Sequence, residues 1–248
     1  MQIDVLTLFP EMFAPMNHSM MWKARDRGIL AFNTHDIRDY TETKYRQVDD
    51  TPYGGGGGMV MKADVVVRAV EAVRGQEACP VILLSAQGRV FNHHIALELA
   101  QHPRIIFLCG HYEGFDDRVR QLVATDDISL GDYVLTGGEL AAMVISDAIV
   151  RQLDGVLGAE DGAQNESHAD GLLEHPHYTR PTEFRGLSVP EVLTQGNHAE
   201  IARWRRRESL RVTWESRPDL LARAQLSEED RYALAEFALH AAQKRPLK

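Results

Sequence analysis

Short apolar runs alternate with amphipathic stretches over the first two thirds of the chain. Residues 3–8 form a β-rich run ending at Pro10. Residues 11–27 have helical composition and stop at Gly28. A second strand is expected over 30–36. Apolar positions return at helical spacing over 63–73. Strands are then expected at 81–85, 104–109 and 127–130, alternating with helices at 92–100, 116–123 and 139 to about 153. Such alternation predicts an α/β fold: a mostly parallel sheet with helices on its faces.

Two stretches break the pattern. Residues 38–61 are charged, aromatic and small, and end in the five glycines Gly54 to Gly58, which reads as a loop and not a strand. Residues 158–175 begin with a polar, aperiodic run and read as an interdomain linker, expected to be disordered when empty. Beyond it the spacing predicts helices at 199–212, 218–224 and 228–242, the last capped by Ser227. The predicted organisation is an α/β domain over 1–157, a flexible linker over 158–175 and a small all-helical domain over 176–248.

Composition narrows the function classes. The chain has 248 residues, 44% hydrophobic and 25% charged, which is ordinary for a globular protein. Its two cysteines, Cys79 and Cys109, and an opening that reads as a strand and not a leader point to a reducing cytoplasm. No apolar run is long enough to span a membrane. The net charge of -9 argues against indiscriminate nucleic-acid coating, but it is unevenly divided. Residues 1–175 carry 14 basic against 26 acidic side chains, whereas 176–248 carry 13 against 10. The basic C-terminal third permits a local polyanion contact.

Candidate chemistry gathers at three strand-to-turn junctions. Leu84-Ser85-Ala86-Gln87-Gly88 follows one apolar run, Cys109-Gly110-His111-Tyr112-Glu113-Gly114 a second, and the stretch from Ile128 through Leu130, Gly131, Tyr133, Leu135, Gly137 and Gly138 a third. One such turn is an ordinary βα connection; three predict a single ligand at the carboxyl edge of the sheet, read largely by backbone. None has the Gly-x-Gly-x-x-Gly pattern of a dinucleotide fold. The glycine run lacks the ending of a P-loop; on composition a plain surface loop is favoured, and Tyr45, Arg46 and Tyr53 make an RNA-facing loop the alternative. His168, His175 and His177 suggest zinc, but Pro176 and the lack of a cysteine pair argue against a metal cage. Asn197 and His198 open a helix bearing Arg203, Arg205, Arg206 and Arg207 around Trp204, a candidate nucleic-acid contact.

Taken together, Leu6-Thr7-Leu8-Phe9-Pro10-Glu11-Met12-Phe13, Val48-Asp49-Asp50 onward to Met61, the turns at 109–114 and 128–140, His177-Tyr178-Thr179-Arg180-Pro181, and Gly196 to Ile201 with Trp204-Arg205 are specific in order and spacing. Over essentially its whole length the chain resembles bacterial tRNA (guanine-N1)-methyltransferases of the knotted SPOUT class.

The resemblance implies a deep trefoil knot formed by the three turns, an exception to unthreaded chain paths. It implies S-adenosylmethionine held by Leu84, Ser85, Ala86, Gln87, Gly110, Tyr112, Glu113, Gly114, Ile128, Leu130, Gly131, Tyr133, Leu135, Gly137 and Gly138. It also implies a homodimer with shared active sites, and magnesium accompanying the tRNA without a recognisable ligand cluster. The tRNA would meet Arg46, Tyr53, Gly55, Gly56, Asn197, His198, Arg203 and Arg205. The acceptor would be N1 of guanosine 37, preceded by guanosine 36. Motif matching places the general base at Glu166, within Glu166-Ser167-His168 where the family commonly has Asp-Ser-Phe, and at Arg151 the arginine that stabilises charge on guanine O6 or orients the base. Ala86, Gly57 and Thr51 stand where the family often has proline, proline and arginine. Two rivals are a non-catalytic RNA-binding module and a knotted enzyme acting on a ribose 2′-hydroxyl. Arg151 with a carboxylate at 166 speaks against the first, and the full-length match against the second.

Overall fold

The computed structural model of the chain describes residues 1–158 and 166–244. The chain divides into two compact units, Met1–Glu160 and Asp161–Lys248.

The first unit is built on a five-stranded sheet. Its strands are β1 (Gln2–Thr7), β2 (Ala31–Asp36), β5 (Val81–Val90), β6 (Arg104–Cys109) and β7 (Asp126–Ser129), in the order β2-β1-β6-β5-β7. Every pairing is parallel. The uninterrupted apolar runs have a simple cause: both faces of the sheet are covered. Ile105, Phe107 and Cys109 of β6 face one buried cluster, which takes in Ile3, Val5, Ile82 and Ile128. Ile106 and Leu108 face the other, with Leu6, Val81 and Leu83. This is the two-residue alternation of a strand, with both sides dry.

The helices of this unit are α1 (Ser19–Asp26), α2 (Ala63–Arg74), α3 (His93–Ala100), α4 (Asp117–Leu122) and α5 (Glu139–Val150). Asn92 caps α3 by accepting from the amide of Ile95, and Asp116 caps α4 by accepting from the amide of Arg118. The single helix expected over 11–27 is instead two pieces. A 3₁₀ segment, Pro10–Asn17, contains Pro15, and extended backbone at His18 separates it from α1. Proline removes the amide a continuous helix would need.

Two further expectations are corrected. The stretch 38–61 is not wholly loop: β3 (Asp49–Asp50) and β4 (Val60–Met61) pair antiparallel and pin both ends of the glycine segment. The strand expected at 81–85 continues to Val90 through an interruption. Both Leu84 and Arg89 pair with Ile128, so residues 85–88 bulge out of the sheet.

The second unit contains α6 (His198–Ser216), α7 (Pro218–Leu221) and α8 (Glu228–Lys244). It is not purely helical. A hairpin joins β8 (Glu183–Phe184) to β9 (Leu187–Ser188), with positive φ at both Arg185 and Gly186. Ser227 and Asp230 cap α8 reciprocally, each side chain accepting from the other's amide. Residues 159–165 of the expected linker lie outside the described residues. Residues 166–175 are built into this unit: Leu172 is buried, Glu174 donates its amide to Ser167 Oγ, and Leu173 donates its own to Thr213 Oγ1 on α6.

Candidate active site

The carboxyl ends of β5, β6 and β7 meet around one cavity of about 410 Å³. Of the fifteen residues expected to hold a cofactor, fourteen line it: Leu84, Ser85, Ala86, Gln87, Gly110, Tyr112, Glu113, Gly114, Ile128, Leu130, Tyr133, Leu135, Gly137 and Gly138. Gly131 lies beside it, where an added Cβ would press on the Tyr133 ring.

Each wall has a local cause. The first is the bulge at 85–88, which turns strand backbone toward the cavity. Gly88 allows it, since a Cβ there would fall 2.4 Å from the carbonyl carbon of Asp127. Ser85 Oγ donates to Asp127 (2.8 Å), and Arg120 pairs with the same carboxylate. The second wall is the turn after β6, with Tyr112 at φ +60 and Gly114 at φ +102. The bulky Tyr112 is held in this left-handed region by bonds around it. Gly114 donates to His111 O, Glu113 donates to Met59 O, and Met61 donates to Gly114 O, each at 2.9 Å. The last two tie the end of the glycine segment to the cavity turn. The third wall is the turn before α5. The Gly138 amide donates to Gly110 O at 3.0 Å, and a Cβ on Gly138 would lie 2.7 Å from Cys109 Cα.

The electrostatics are mixed and largely acidic. Glu113, Asp116, Asp117 and Arg120 all border the cavity. The Arg118 guanidinium bonded to Asp116 holds that carboxyl below its ordinary range. Burial, and then Glu139 nearby, push the Cys109 thiol well up, so it stays protonated and unreactive.

Three contributors lie outside the set expected from the sequence. Gly88 was part of a recognised turn without a role of its own. His111, between two expected residues, lines the cavity. Glu139, in the first turn of α5, is 1% exposed and bonds both His111 Nε2 (2.8 Å) and Thr7 Oγ1 (2.6 Å). The available signal for Glu139 is a charged residue opening a mostly apolar helix.

The remaining candidates are dispersed. Arg151 is the C-cap residue of α5 and is half-buried. Glu166 belongs to the second unit, where its carbonyl accepts from the amide of Ala169. Arg46 pairs with Asp36 and Asp39, whereas Tyr53 is fully exposed and Gly55 and Gly56 take positive φ in open space. Asn197 caps α6, which begins at His198. The four arginines around Trp204 do not act alike. Arg206 is fixed by Asp170, Asp230 and the Gln225 carbonyl, and Arg207 by Glu236 and the Phe237 ring. Arg203 pairs with Glu200, and Arg205 is exposed. The histidines also separate: donor atoms of Glu174, His175 and His177 lie within 4.8 Å of one another, without His168. Glu174 and His177 are joined at 2.8 Å, so two members of that cluster already bond one another.

The relatives of the chain give this geometry its context. A tRNA (guanine-N(1)-)-methyltransferase of Dehalococcoides mccartyi is 56% identical over 240 residues, spanning 96% of this chain and 97% of the relative. One from Moorella thermoacetica is 55% identical over 250 residues, 99% and 100% of the two chains. One from Staphylococcus epidermidis is 53% identical over 238 residues, 96% and 97%. The model of the family described as tRNA (guanine-1)-methyltransferase TrmD matches residues 1–223. With three turns converging on one cavity, and with this match over nearly the whole length, the chain belongs to the tRNA (guanine-1)-methyltransferase family.

Proposed function

We propose that the protein transfers the methyl group of S-adenosylmethionine to N1 of guanosine 37 in tRNAs with guanosine at position 36. The observation that carries this reading is the convergence of the three turns on one cavity in a chain of this family. About 410 Å³ suits a single small ligand. Backbone at Gly110, Gly114, Gly137 and Gly138 suits close approach to an adenosine, and the carboxylates of Glu113, Asp116 and Asp117 suit a cationic sulfonium.

The bound donor supplies an electrophilic methyl on that sulfonium. The chain must supply the rest. N1 of guanine carries a proton, so its lone pair is unavailable until a carboxylate takes that proton as the new N–C bond forms and the S–C bond breaks. Glu166 is assigned as that base. Arg151 is assigned to the negative charge that gathers on guanine O6, a task suited to a permanently charged guanidinium. Arg46, Tyr53, Gly55, Gly56, Asn197, His198, Arg203 and Arg205 are assigned to the tRNA. Magnesium is assigned to accompany the tRNA.

The close passage of Gly138 against Cys109 fits a chain threaded as a deep trefoil knot. Leu140 and Val144, four residues apart on α5 and both about half exposed, give its first two turns an apolar outer patch that fits a second copy of the chain, as a homodimer with shared active sites requires. Among the described residues no helix is long and apolar enough to cross a membrane, in keeping with a cytoplasmic enzyme.

The test is nucleoside analysis after incubation with methyl-labelled S-adenosylmethionine and unmodified tRNA. The expected product is N1-methylguanosine. Label in a ribose 2′-O-methyl group, or in no nucleoside, overturns the proposal.

A further inference from the structure

We infer that His111 is a positioning residue for the methyl donor: its imidazole, carried on the buried Glu139 carboxylate, fixes the turn 135–138 as a wall of the cavity. This rests on the cavity being the S-adenosylmethionine site.

Three segments distant in sequence meet at this point. Thr7, at the end of β1, is fully buried; its hydroxyl accepts from the Phe9 amide at 2.9 Å and donates to Glu139 Oε1 at 2.6 Å. The other carboxylate oxygen, Oε2, takes the bond from His111 Nε2 at 2.8 Å. A carboxylate only accepts, so the imidazole must place its proton on Nε2, and the pair fixes the tautomer. The ring is boxed in further by the edge-on Phe9 ring at 4.8 Å, and its backbone amide points to Met61 Sδ at 3.4 Å. On the cavity side the pair is covered by Gly137, where a Cβ would fall 2.4 Å from His111 Nε2 and 2.5 Å from Glu139 Oε2. The turn that supplies Leu135, Gly137 and Gly138 therefore rests directly on the histidine–glutamate pair.

Removing the Nε2 donor would leave one oxygen of a buried carboxylate without its partner, which is far costlier than losing an exposed bond. The easiest relief is movement of the glycine turn lying over it, because that turn has little side chain to displace. The sheet beneath is held by its own ladders and both core clusters. The cost should therefore appear in donor affinity, and not in folding or in tRNA binding.

Two substitutions separate this from a purely structural role. In His111→Gln the amide nitrogen can take the place of Nε2; in His111→Asn it falls near Nδ1 and cannot reach Glu139 Oε2. The parent and both variants are compared for S-adenosylmethionine affinity by calorimetry, for KM of each substrate and kcat, and for Tm. The Asn variant is expected to bind the donor about tenfold more weakly and to show a matching rise in its KM, with tRNA KM and kcat within about twofold, while Gln stays within about threefold of the parent. Equal donor affinity in Asn, Gln and parent overturns the inference, as does equal weakening in both variants. Failure of the parent itself to bind the donor overturns the reading of the cavity instead.

Discussion

The amide of Gly138 donates to the carbonyl of Gly110 at 3.0 Å, joining the turn that opens α5 to the turn that closes β6. This one bond sets the separation of two cavity walls. It requires the backbones to lie closer than any side chain would allow, since a Cβ at 138 would stand 2.7 Å from Cys109 Cα.

Gly138→Ala should therefore both loosen the fold and spoil the cavity. Overpacking against backbone costs roughly 1–3 kcal/mol, visible as a lower Tm, and donor binding should fall below detection by calorimetry. Gly57→Ala is the matched control. Among the described residues nothing lies within 4 Å of its added Cβ, and its φ is not positive, so Tm and donor affinity should be unchanged.

The arginines of α6 should divide. Arg205→Ala should weaken tRNA binding in a filter or gel-shift titration and leave Tm alone. Arg206→Ala removes the charged partner of Asp230, which is only 5% exposed, and should lower Tm. If the two variants behave alike in both measurements, the division of labour along this helix is wrong.

Glu166→Gln should keep donor and tRNA affinity and lose most methyl transfer in a single-turnover assay, because the amide preserves shape and removes the base. A rate near the parent's would move the base elsewhere.

Stability should fall in acid through Asp4. It lies 1% exposed on β1, bonded by Arg104 (2.8 Å), His35 (3.0 Å), Asn33 (3.0 Å) and Gln2 (2.7 Å). Burial raises its carboxyl pKa, but those bonds outweigh burial and hold it at about 2, against 3.8 for a free side chain. A depressed carboxyl stabilises the fold above the unfolded value, and the benefit is lost as pH falls through the folded one. About 2 kcal/mol should disappear between about pH 4 and pH 2. Denaturant titrations across that interval should show the loss in the parent and a shallower slope in Asp4→Asn.

Much of this was legible in the chain because the sheet is covered on both faces, so its strands appear as dense apolar runs such as Ile105-Ile106-Phe107-Leu108. The turn residues were legible because glycines cluster where backbone must approach backbone. What escaped has physical reasons. The bulge at 85–88 interrupts β5 with small and polar residues that look like a strand end, although pairing resumes at Arg89. The ribbon of β3 and β4 is two residues long on each side, too short for any periodicity. The hairpin of β8 and β9 has the same brevity, and Phe184 and Leu187 within it are exposed. The contact of Thr7 with Glu139 spans 132 positions and follows no local pattern.

Methylation at N1 of guanosine 37 is visible to primer extension, because a methyl on N1 blocks Watson–Crick pairing. After incubation with S-adenosylmethionine, reverse transcription of a tRNA carrying guanosines at 36 and 37 should arrest one nucleotide before position 37. The arrest should vanish when adenosine replaces guanosine 37. Read-through on the guanosine 36–guanosine 37 tRNA, or arrest at another position, would rule out methyl transfer to N1 of guanosine 37.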